Sequence, residues 1–579
     1  MSLPRQLTRL VSIARSLGGN ATDALLANLL AAAAALTAVG GVHRAPSGLI
    51  ALAALVLMVW LGRAVWIRPW RQHAPAGELT LARLVVAIAA AMLVVRSGHA
   101  GGVLWTAVGL IILTTAPEAG VVSVANRVFD FVAGLPTYRA RNTPVLRLGS
   151  VAALNTLATA LLVLRGVWVS ASVLGWLALV LALAAFAVEA AVVLDVLRPL
   201  IRGRQAKALT TALREYGPEF VLHWDAPGGT AYQVAMWLPY LERLGRPFFV
   251  LVRTAANFDD VRRLTSAPIV KIRTLEELDQ IVVPTMRVTF YVNTATKNCH
   301  MIRYTQMKHV QLNHGDSDKV PSFNPVFRMF DRNFVAGQAA IDRFAANGVW
   351  VPQEMFEIVG RPQVSEVAIA QRAIGELDAP TVLYAPTWAG FYADSSYCSL
   401  PYGVQIVTAL VARGCSVIFR PHPYTYRSAA QMRAAEQIRS VLAADAAAAG
   451  RAHVFGPTAE TRMTIFECFN AADALISDVS SVPNDFLYSE KPFAMVAVSA
   501  PAERFADEFP VAKAAYVIDA HSRKITGLDD TLDALLSTDP LREQRRALKT
   551  YYLGDIPAGE YVEHFLATAN KYFATAEVP

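Results

Sequence analysis

The distribution of apolar residues divides the chain into two parts. Up to about residue 207, six long apolar segments follow one another, and beyond it short apolar runs alternate with polar turns and amphipathic stretches. Long apolar segments are typical of membrane spans, whereas the second pattern is typical of an α/β fold. We therefore predict an α-helical transmembrane bundle of about six spans at residues 1–207, followed by two Rossmann-type α/β lobes at residues 208–362 and 363–579.

The charges that flank the apolar segments predict an orientation. Basic residues cluster on one side of the predicted spans, and only Arg44, Arg96 and Arg165 fall on the other. By the positive-inside rule, both termini and the α/β part are expected in the cytoplasm, so we predict a multi-pass protein of the cell membrane without a cleavable signal peptide. The segments are roughly residues 24–42, 49–66, 81–95, 103–124, 150–164 and 169–194, and the clustered basic residues are Arg5, Arg9, Arg15, Arg63, Arg68, Arg71, Arg83, Arg127, Arg139, Arg141, Arg147, Arg198, Arg202, Arg204 and Lys207.

Charge and cysteine content narrow the functional classes. Residues 1–207 carry 18 basic and 6 acidic side chains, whereas the remainder carries 35 basic and 40 acidic ones. The net charge of +7 therefore reflects membrane topology, and no nucleic-acid partner is expected. The 4 cysteines lack a CxxC spacing and are expected to be reduced. Glu118 and Glu189, inside apolar segments, fit either an interfacial position or a functional role.

The first predicted lobe contains two stretches of possible functional interest. A turn at Ala226–Thr230 contains Gly228 and Gly229, which fit either a phosphate or acceptor-sugar contact or a plain turn before a predicted amphipathic helix at Tyr232–Leu244. Strands are predicted near Phe220–His223, Phe248–Val252, Ile269–Ile272, Val288–Val292, Val310–Leu312, Phe334–Ala336 and Phe356–Val359.

The second of these stretches is Lys308–Lys319, where a predicted strand ends at Leu312. The loop that follows contains Asn313, His314, Gly315 and Asp316, with Lys319 shortly after. Histidine accepts a proton readily near neutral pH, and catalytic groups are often carried on strand-end loops. His314 is therefore a candidate general base, although a hydrogen-bonded structural histidine also fits this pattern.

Three strand ends with polar tips characterise the second predicted lobe. Val382–Phe391 runs into a turn that contains Thr387, and Val417–Tyr426 places Arg420 and His422 after an apolar run. Ala474–Phe486 is predicted to form a strand, a turn and the start of a helix. We predict that Ser481 caps a helix that begins at Val482, where free backbone N–H groups favour a phosphate, although an ordinary capped junction fits as well.

These strand ends are expected at one edge of a parallel sheet, because the carboxyl ends of parallel strands lie together. Two such lobes, linked by a predicted helical stretch at Gln363–Leu377, suit a GT-B-like transferase with a nucleotide-diphosphate donor on the second lobe. No acidic DxD-type metal motif occupies a convincing strand end, so neither a metal ion nor another cofactor is expected. We expect His422, Arg420 and the helix start after Ser481 to meet the charge of the leaving group.

The chain also resembles a known family through seven motifs in order. These look like the motifs of the CDP-glycerol glycerophosphotransferases of teichoic acid synthesis, and the resemblance covers roughly residues 285–500. The motifs are YVNTATKN (291–298), HVQLNHGDSDK (309–319), FVAGQAAIDRF (334–344), EIVGRPQ (357–363), LYAPTWAGF (383–391), FRPHP (419–423) and SDVSSVPNDF (477–486).

The resemblance implies a role for each matching residue. His314 would take the proton from an acceptor hydroxyl, which attacks the β-phosphate of a CDP-polyol so that CMP leaves. On the donor side, the pyrophosphate would be held by His422 and Arg420, a phosphate would be bound by Ser480 and Ser481, and Thr387 would line the cleft. Asp478 would orient its loop, and Asp485 would reach the ribose or the glycerol. Gly315, Asp316, Lys319, Gly228 and Gly229 remain candidate acceptor or phosphate contacts.

The sequence differs from the family's usual pattern at Asn313, Asp316, Arg420 and Ala389, on both the acceptor and the donor side. Our hypothesis is a membrane-anchored transferase that moves glycerol or ribitol phosphate from a CDP-polyol to a lipid-linked acceptor. Membrane lipids would surround its spans, and a homo-oligomeric state stays open. Two alternatives stay open. One is a GT-B glycosyltransferase that uses a UDP- or GDP-sugar, and the other is an inactive membrane scaffold of a glycopolymer pathway.

Overall fold

The computed structural model describes residues 19–67, 76–98, 100–118, 120–121, 124, 131–138, 145–168, 172–202, 205–390, 397–522, 524–537 and 539–574. Its contacts divide the chain into two compact units. The first unit comprises residues 1–218, 225–231 and 248–285, and the second comprises residues 219–224, 232–247 and 286–579. The strands are β1 (Phe131–Ala133), β2 (Phe220–Trp224), β3 (Phe248–Val252), β4 (Ile269–Lys271), β5 (Val288–Tyr291), β6 (Lys308–Gln311), β7 (Arg332–Val335), β8 (Phe356–Ile358), β9 (Thr381–Ala385), β10 (Ser416–Phe419), β11 (Ala474–Ser477), β12 (Phe493–Ala497) and β13 (Tyr516–Asp519).

Each predicted apolar segment of the first unit contains a helix. Their inward faces carry mainly small residues, as in the run Ala27, Ala31, Ala34 and Ala38, which lets helices approach closely. Three helices contain segments long and apolar enough to cross a membrane, namely Leu79–Arg96, Gly149–Val167 and Ser172–Asp195. Six spans are therefore not confirmed. The helices are Gly19–Val39, Arg44–Ile67, Ala76–Arg96, Gly102–Thr115, Val145–Val167 and Ser172–Arg202.

Both acidic residues of the apolar segments lie inside this helical bundle. Glu118 is 3% exposed and pairs with Arg83, and Glu189 is 5% exposed. Asn155 donates a hydrogen bond to Thr114 Oγ1 at 2.8 Å between two further helices. Both acids are thus buried among the helices, and an interfacial position or a functional role stays a prediction.

The first unit also contains part of the α/β region. Strand β3 pairs in parallel with β4, and β1 pairs antiparallel with the other side of β4, with Val132 opposite Val270. Strand β1 lies in the connection between the fourth and fifth apolar helices and was not predicted, because three residues are too few to give a pattern. Of the basic residues that predict the orientation, several lie outside the described residues: Arg5, Arg9, Arg15, Arg68, Arg71, Arg127, Arg139, Arg141 and Arg204.

The second unit contains two parallel sheets. One has the strand order β2-β5-β6-β7-β8 and the other has the order β10-β9-β11-β12-β13, and every pair within them is parallel. Most strands, such as β5, β11 and β12, are mainly apolar and buried on both faces, as parallel strands covered by helices require, whereas β6 and β7 also carry polar side chains. The predicted α/β architecture is confirmed. Helices and short helical turns connect the strands, and the longest helices here are Gln338–Ala346, Gly403–Ala412, Ala429–Ala449, Arg542–Leu553 and Tyr561–Asn570.

Two predicted helices are wrong. The stretch Tyr232–Leu244 forms two short helices, Tyr232–Ala235 and Leu238–Glu242, because Pro239 has no N–H with which to continue one helix. The stretch Gln363–Leu377 forms only the 3₁₀ turns Pro362–Glu366 and Ile374–Glu376. Its backbone amides bond elsewhere, for example from Ala370 to the carbonyl of Ser489.

Candidate active site

The carboxyl ends of several strands of the second unit bring most of the predicted site residues together. His314 follows β6, Thr387 follows β9, His422 follows β10, and Asp478 follows β11. In parallel sheets this edge is where ligands bind, because neighbouring strand ends leave a crevice there. The predicted grouping of strand ends is therefore present in the structure.

His314 is held as a neutral imidazole. Asn313 adopts a left-handed backbone conformation (φ 57°), and its side-chain oxygen accepts a hydrogen bond from the His314 N–H. The Nδ1 atom of His314 lies 2.7 Å from the carbonyl oxygen of Val292, so Nδ1 carries the proton. Burial, together with the positive charge of Arg361, lowers the pKa of His314. The unprotonated Nε2 is consequently available to accept a proton.

Lys319 is the cation nearest to the strand-end loops of the second sheet. Its Nζ donates to Thr387 Oγ1 at 3.2 Å and lies near Asp478. Burial lowers the pKa of Lys319 to about 8, against the opposing attraction of Asp478. The ammonium group is therefore charged near neutral pH and has few other contacts to lose when an anion arrives.

Asp478 organises this part of the site. Its Oδ2 accepts hydrogen bonds from the backbone N–H groups of Thr387 at 2.7 Å and Ser399 at 3.0 Å. Its Oδ1 is buried and has no hydrogen-bond partner among the described residues. Burial raises the pKa of Asp478 to about 6. Asp478 thus holds the loop that carries Thr387.

His422 is also neutral, but in the opposite tautomer. Its Nδ1 accepts a hydrogen bond from the Tyr424 N–H at 3.1 Å, which places the proton on Nε2. Burial, with smaller effects of Lys319 and Arg427, lowers the pKa of His422 to about 4. The ring packs near Trp388 and Tyr424, with centroid distances of 6.2 and 5.2 Å. His422 therefore offers an N–H donor rather than a positive charge.

The loop after β6 contacts the helix after β11. A Cβ atom on Gly315 would lie 3.0 Å from Ser481 Oγ, so a larger residue here would require the Ser481 side chain to move. Asn484 Nδ2 donates to the carbonyl oxygen of Asp316 at 3.1 Å. The helix is Ser481–Phe486, and its N-cap is Ser480, whose Oγ accepts from the Val482 N–H. The predicted cap at Ser481 is thus wrong by one residue, and the helix has only 6 residues.

Arg420 points away from this group. Its Nη1 donates to the carbonyl oxygens of Ala459 and of Met463, the latter at 2.7 Å. The guanidinium therefore holds the segment 459–463 against the second sheet. Among the described residues, Lys319 rather than Arg420 is the cation placed beside Thr387 and Asp478.

Two predicted site carboxylates are occupied by ion pairs. Asp485 receives two hydrogen bonds from Arg361, at 2.8 and 3.0 Å, in a pair that is almost fully buried. Asp316 pairs with Arg343 at 2.5 Å. These carboxylates hold elements together, and a contact of Asp485 to ribose or glycerol stays a prediction.

Gly228 and Gly229 lie in the first unit, whereas the residues above lie in the second. Gly229 has φ 80°, and its N–H donates to Asp260 Oδ2 at 3.2 Å. This amide is thus used within its own unit. The structure gives no grouping of these glycines with the other candidates.

Sequence reasoning missed Gln233, which faces His314, and Arg361, which pairs with Asp485. Gln233 lies in a short helix whose sequence carries no motif, so no sequence signal identifies it. Arg361 lies in the motif EIVGRPQ, which marks it as a residue of interest but does not indicate its partner. Among the described residues, no group of three or more His, Cys, Asp or Glu side chains is arranged to hold a metal ion, and a reaction without metal stays a prediction.

Comparisons with solved structures give low scores. A variant of the wall teichoic acid polymerase TagF soaked with CDPG has a TM-score of 0.40 at 13% identity, covering 65% of this chain and 96% of that one. A putative UDP-N-acetylglucosamine 2-epimerase from Listeria monocytogenes has a TM-score of 0.41 at 13% identity, covering 62% and 98%. These values are too low to assign a function or a residue's role. A comparison with curated proteins finds no match.

A family model matches part of the second unit. The model described as CDP-Glycerol:Poly(glycerophosphate) glycerophosphotransferase matches residues 365–501, which include Thr387, Arg420, His422, Asp478 and the Ser480–Asp485 stretch. His314 lies before the matched region. Over residues 365–501, the chain therefore matches the CDP-glycerol:poly(glycerophosphate) glycerophosphotransferase family that its sequence motifs resemble, and the match supports a transferase of this kind.

Proposed function

We propose that the protein transfers glycerol phosphate or ribitol phosphate from a CDP-polyol to a hydroxyl group of a lipid-linked acceptor, in the synthesis of a teichoic-acid-like polymer. The proposal rests mainly on one observation. His314, a neutral histidine with an unprotonated Nε2, lies on the same loop as Lys319, whose Nζ donates to Thr387 Oγ1 and whose charge acts on His422. A base and a set of phosphate-binding donors are thus held in one unit.

On the acceptor side, His314 acts as general base. Its Nε2 takes the proton of the acceptor hydroxyl as the oxygen attacks the β-phosphorus of the CDP-polyol. A new P–O bond forms to the acceptor, the P–O bond to the CMP oxygen breaks, and CMP leaves with that bond's electron pair. Asn313 and Val292 fix the imidazole, so little reorientation is needed when substrate binds.

On the donor side, the leaving phosphate gains negative charge. Lys319 supplies a positive charge, and His422 supplies its Nε2–H, while the hydroxyls of Thr387, Ser480 and Ser481 offer further polar contacts. Donors that are fixed before the reaction stabilise developing charge better than mobile water does. Arg420 contributes indirectly by holding the segment 459–463.

The apolar helices fit a lipid-linked acceptor. Such an acceptor stays at the bilayer surface, and an enzyme held at the same surface meets it at a higher effective concentration. We place the catalytic part on the cytoplasmic side, with no metal or other cofactor in the reaction.

The test is CMP release by the full-length protein in detergent, with CDP-glycerol or CDP-ribitol and a polyprenyl-linked acceptor. We expect His314→Ala and His422→Ala each to lower the rate at least about 100-fold. His521→Ala is the matched control, because His521 is exposed, and its rate should equal that of the wild type. Turnover of a UDP- or GDP-sugar without CMP release would favour a glycosyltransferase, and no turnover of any donor would favour an inactive scaffold.

A further inference from the structure

Gln233 contacts the candidate base from the side opposite to Val292. Its Nε2 lies 3.4 Å from His314 Nε2, and the side chain is 8% exposed. Gln233 belongs to the helix Tyr232–Ala235 and lies outside all seven sequence motifs. The contact therefore joins a residue without any sequence signal to the nitrogen that would accept the proton.

The orientation of the Gln233 amide is fixed by two donors. Its Oε1 accepts hydrogen bonds from Trp224 Nε1 at 3.1 Å and from Asn293 Nδ2 at 3.0 Å. An indole nitrogen can only donate. Asn293 is itself fixed, because its Oδ1 accepts from the Ala295 N–H at 3.1 Å. The NH₂ group of Gln233 must consequently face His314.

An NH₂ group that faces His314 requires an acceptor there. Nε2 of His314 accepts a hydrogen bond only when it carries no proton. This agrees with the hydrogen bond that Nδ1–H donates to the Val292 carbonyl oxygen. The two contacts thus specify the same neutral tautomer from opposite sides of the ring. An imidazolium would place its Nε2–H against the amide hydrogens of Gln233, which is unfavourable.

We propose that Gln233 is a positioning residue that keeps His314 unprotonated at Nε2 and guides the acceptor hydroxyl to it. A hydroxyl oxygen about 3 Å from both nitrogens would receive an amide hydrogen of Gln233 and give its own proton to His314. This inference rests on the proposed role of His314 as the base. It adds an acceptor-side residue that lies before the region matched by the family model.

The substitution Gln233→Glu tests this role because it replaces an amide that favours unprotonated His314 Nε2 with a carboxylate that favours protonated Nε2. A glutamate keeps acceptors for Trp224 and Asn293, but its second oxygen favours the protonated ring. The other groups that face His314 are Arg361, whose charge lowers the His314 pKa, and Tyr232, whose ring centroid is 6.2 Å away. A new carboxylate opposes the effect of Arg361 and raises the His314 pKa.

The experiment is the pH dependence of CMP release by the full-length protein, measured as kcat/KM for the acceptor. We expect the acid limb of the Gln233→Glu profile to move upward by about one to three pH units relative to the wild type. Gln338→Glu adds the same charge on the helix Gln338–Ala346 and should leave the limb in place. Gln233→Met should lower the rate without moving the limb upward.

A second measurement reads the tautomer of the wild-type protein directly and does not depend on activity. In wild-type protein with ¹⁵N-labelled histidine, the His314 signal, identified by its loss in His314→Ala, should show the neutral Nδ1–H tautomer at pH 7. The Nε2–H tautomer or an imidazolium would overturn the proposal, as would an unmoved limb in folded Gln233→Glu. If His314→Ala keeps full activity, the proposed base itself fails, and that result is distinct from either of these.

Discussion

At the scale of single residues, two histidines of the site are held neutral in opposite tautomers. His314 presents a lone pair at Nε2 because its Nδ1–H donates a hydrogen bond to the Val292 carbonyl oxygen. His422 presents an Nε2–H because its Nδ1 accepts a hydrogen bond from the Tyr424 N–H. The lone pair suits proton removal from an acceptor, and the N–H suits a leaving phosphate. Lys319 brings a positive charge to the site, and its ammonium lies beside Thr387 and near Asp478.

Lys319 gives a prediction for the alkaline pH range. Burial lowers its pKa to about 8, so it loses its charge as the pH rises through that value. We expect kcat/KM for the CDP-donor to fall above about pH 8 in the wild type. Lys319→Arg keeps its charge at higher pH and should move this fall upward.

The control for this prediction is Lys513→Arg, a substitution of an exposed lysine that should leave the profile unchanged. Lys319→Met should lower kcat/KM across the whole pH range. A fall near pH 8 that persists in Lys319→Arg would show that another group is responsible.

At the scale of elements, the short helix Ser481–Phe486 positions several parts of the site. Ser481 contacts the Gly315 position, Asn484 bonds the carbonyl of Asp316, and Asp485 binds Arg361 after β8. With 6 residues, this helix has a small macrodipole. Its contribution is better described as a set of side-chain contacts that hold the loop of His314.

The pair of Asp485 and Arg361 gives a prediction for stability. Both side chains are under 10% exposed, so Asp485→Ala leaves a buried guanidinium without its partner. We expect this change to lower the free energy of unfolding by about 3 to 5 kcal/mol. The measurement is denaturant unfolding of the purified protein in detergent.

The matched control for the stability prediction is Asp533→Ala, which breaks a pair between Arg413 and an aspartate that is 68% exposed. Its expected cost is at most about 1 kcal/mol. Equal costs for the two variants would contradict the structural role of Asp485. The double variant Arg361→Met with Asp485→Leu should regain part of the loss.

At the scale of the whole molecule, β1 connects the helical region with the α/β region inside the first unit. Because β1 pairs with β4, residues 131–133 and 269–271 must lie on the same side of a membrane. The two helices between them, Val145–Val167 and Ser172–Arg202, both contain segments long enough to cross. Two crossings return the chain to its starting side, which agrees with the proposed orientation.

Cysteine accessibility tests the cytoplasmic placement. Cys299 is exposed, whereas Cys398, Cys415 and Cys468 are buried. We expect a membrane-impermeant maleimide to leave the protein unlabelled in intact cells and to label it after permeabilisation. Cys299→Ser should abolish the label, and labelling in intact cells would contradict the orientation.

The sequence by itself determined the apolar helices, most strands and the resemblance that the family model matches at residues 365–501. The strands β3 and β5 coincide with their predictions within a residue because a strand buried on both faces must be a continuous apolar run. The apolar segments likewise follow from local composition. The strand-end residues His314, His422 and Asp478 were identified because polar residues after such runs are locally visible.

Only the tertiary structure decided which side chains meet. Arg361 and Asp485 are 124 residues apart, and Gln233 and His314 are 81 apart, so no local pattern pairs them. Arg420 follows a strand end as predicted, yet its partners are carbonyls that the fold brings from Ala459 and Met463. Hydrophobic periodicity reports which residues are buried, but a charged or amide side chain takes its role from distant partners that folding places beside it.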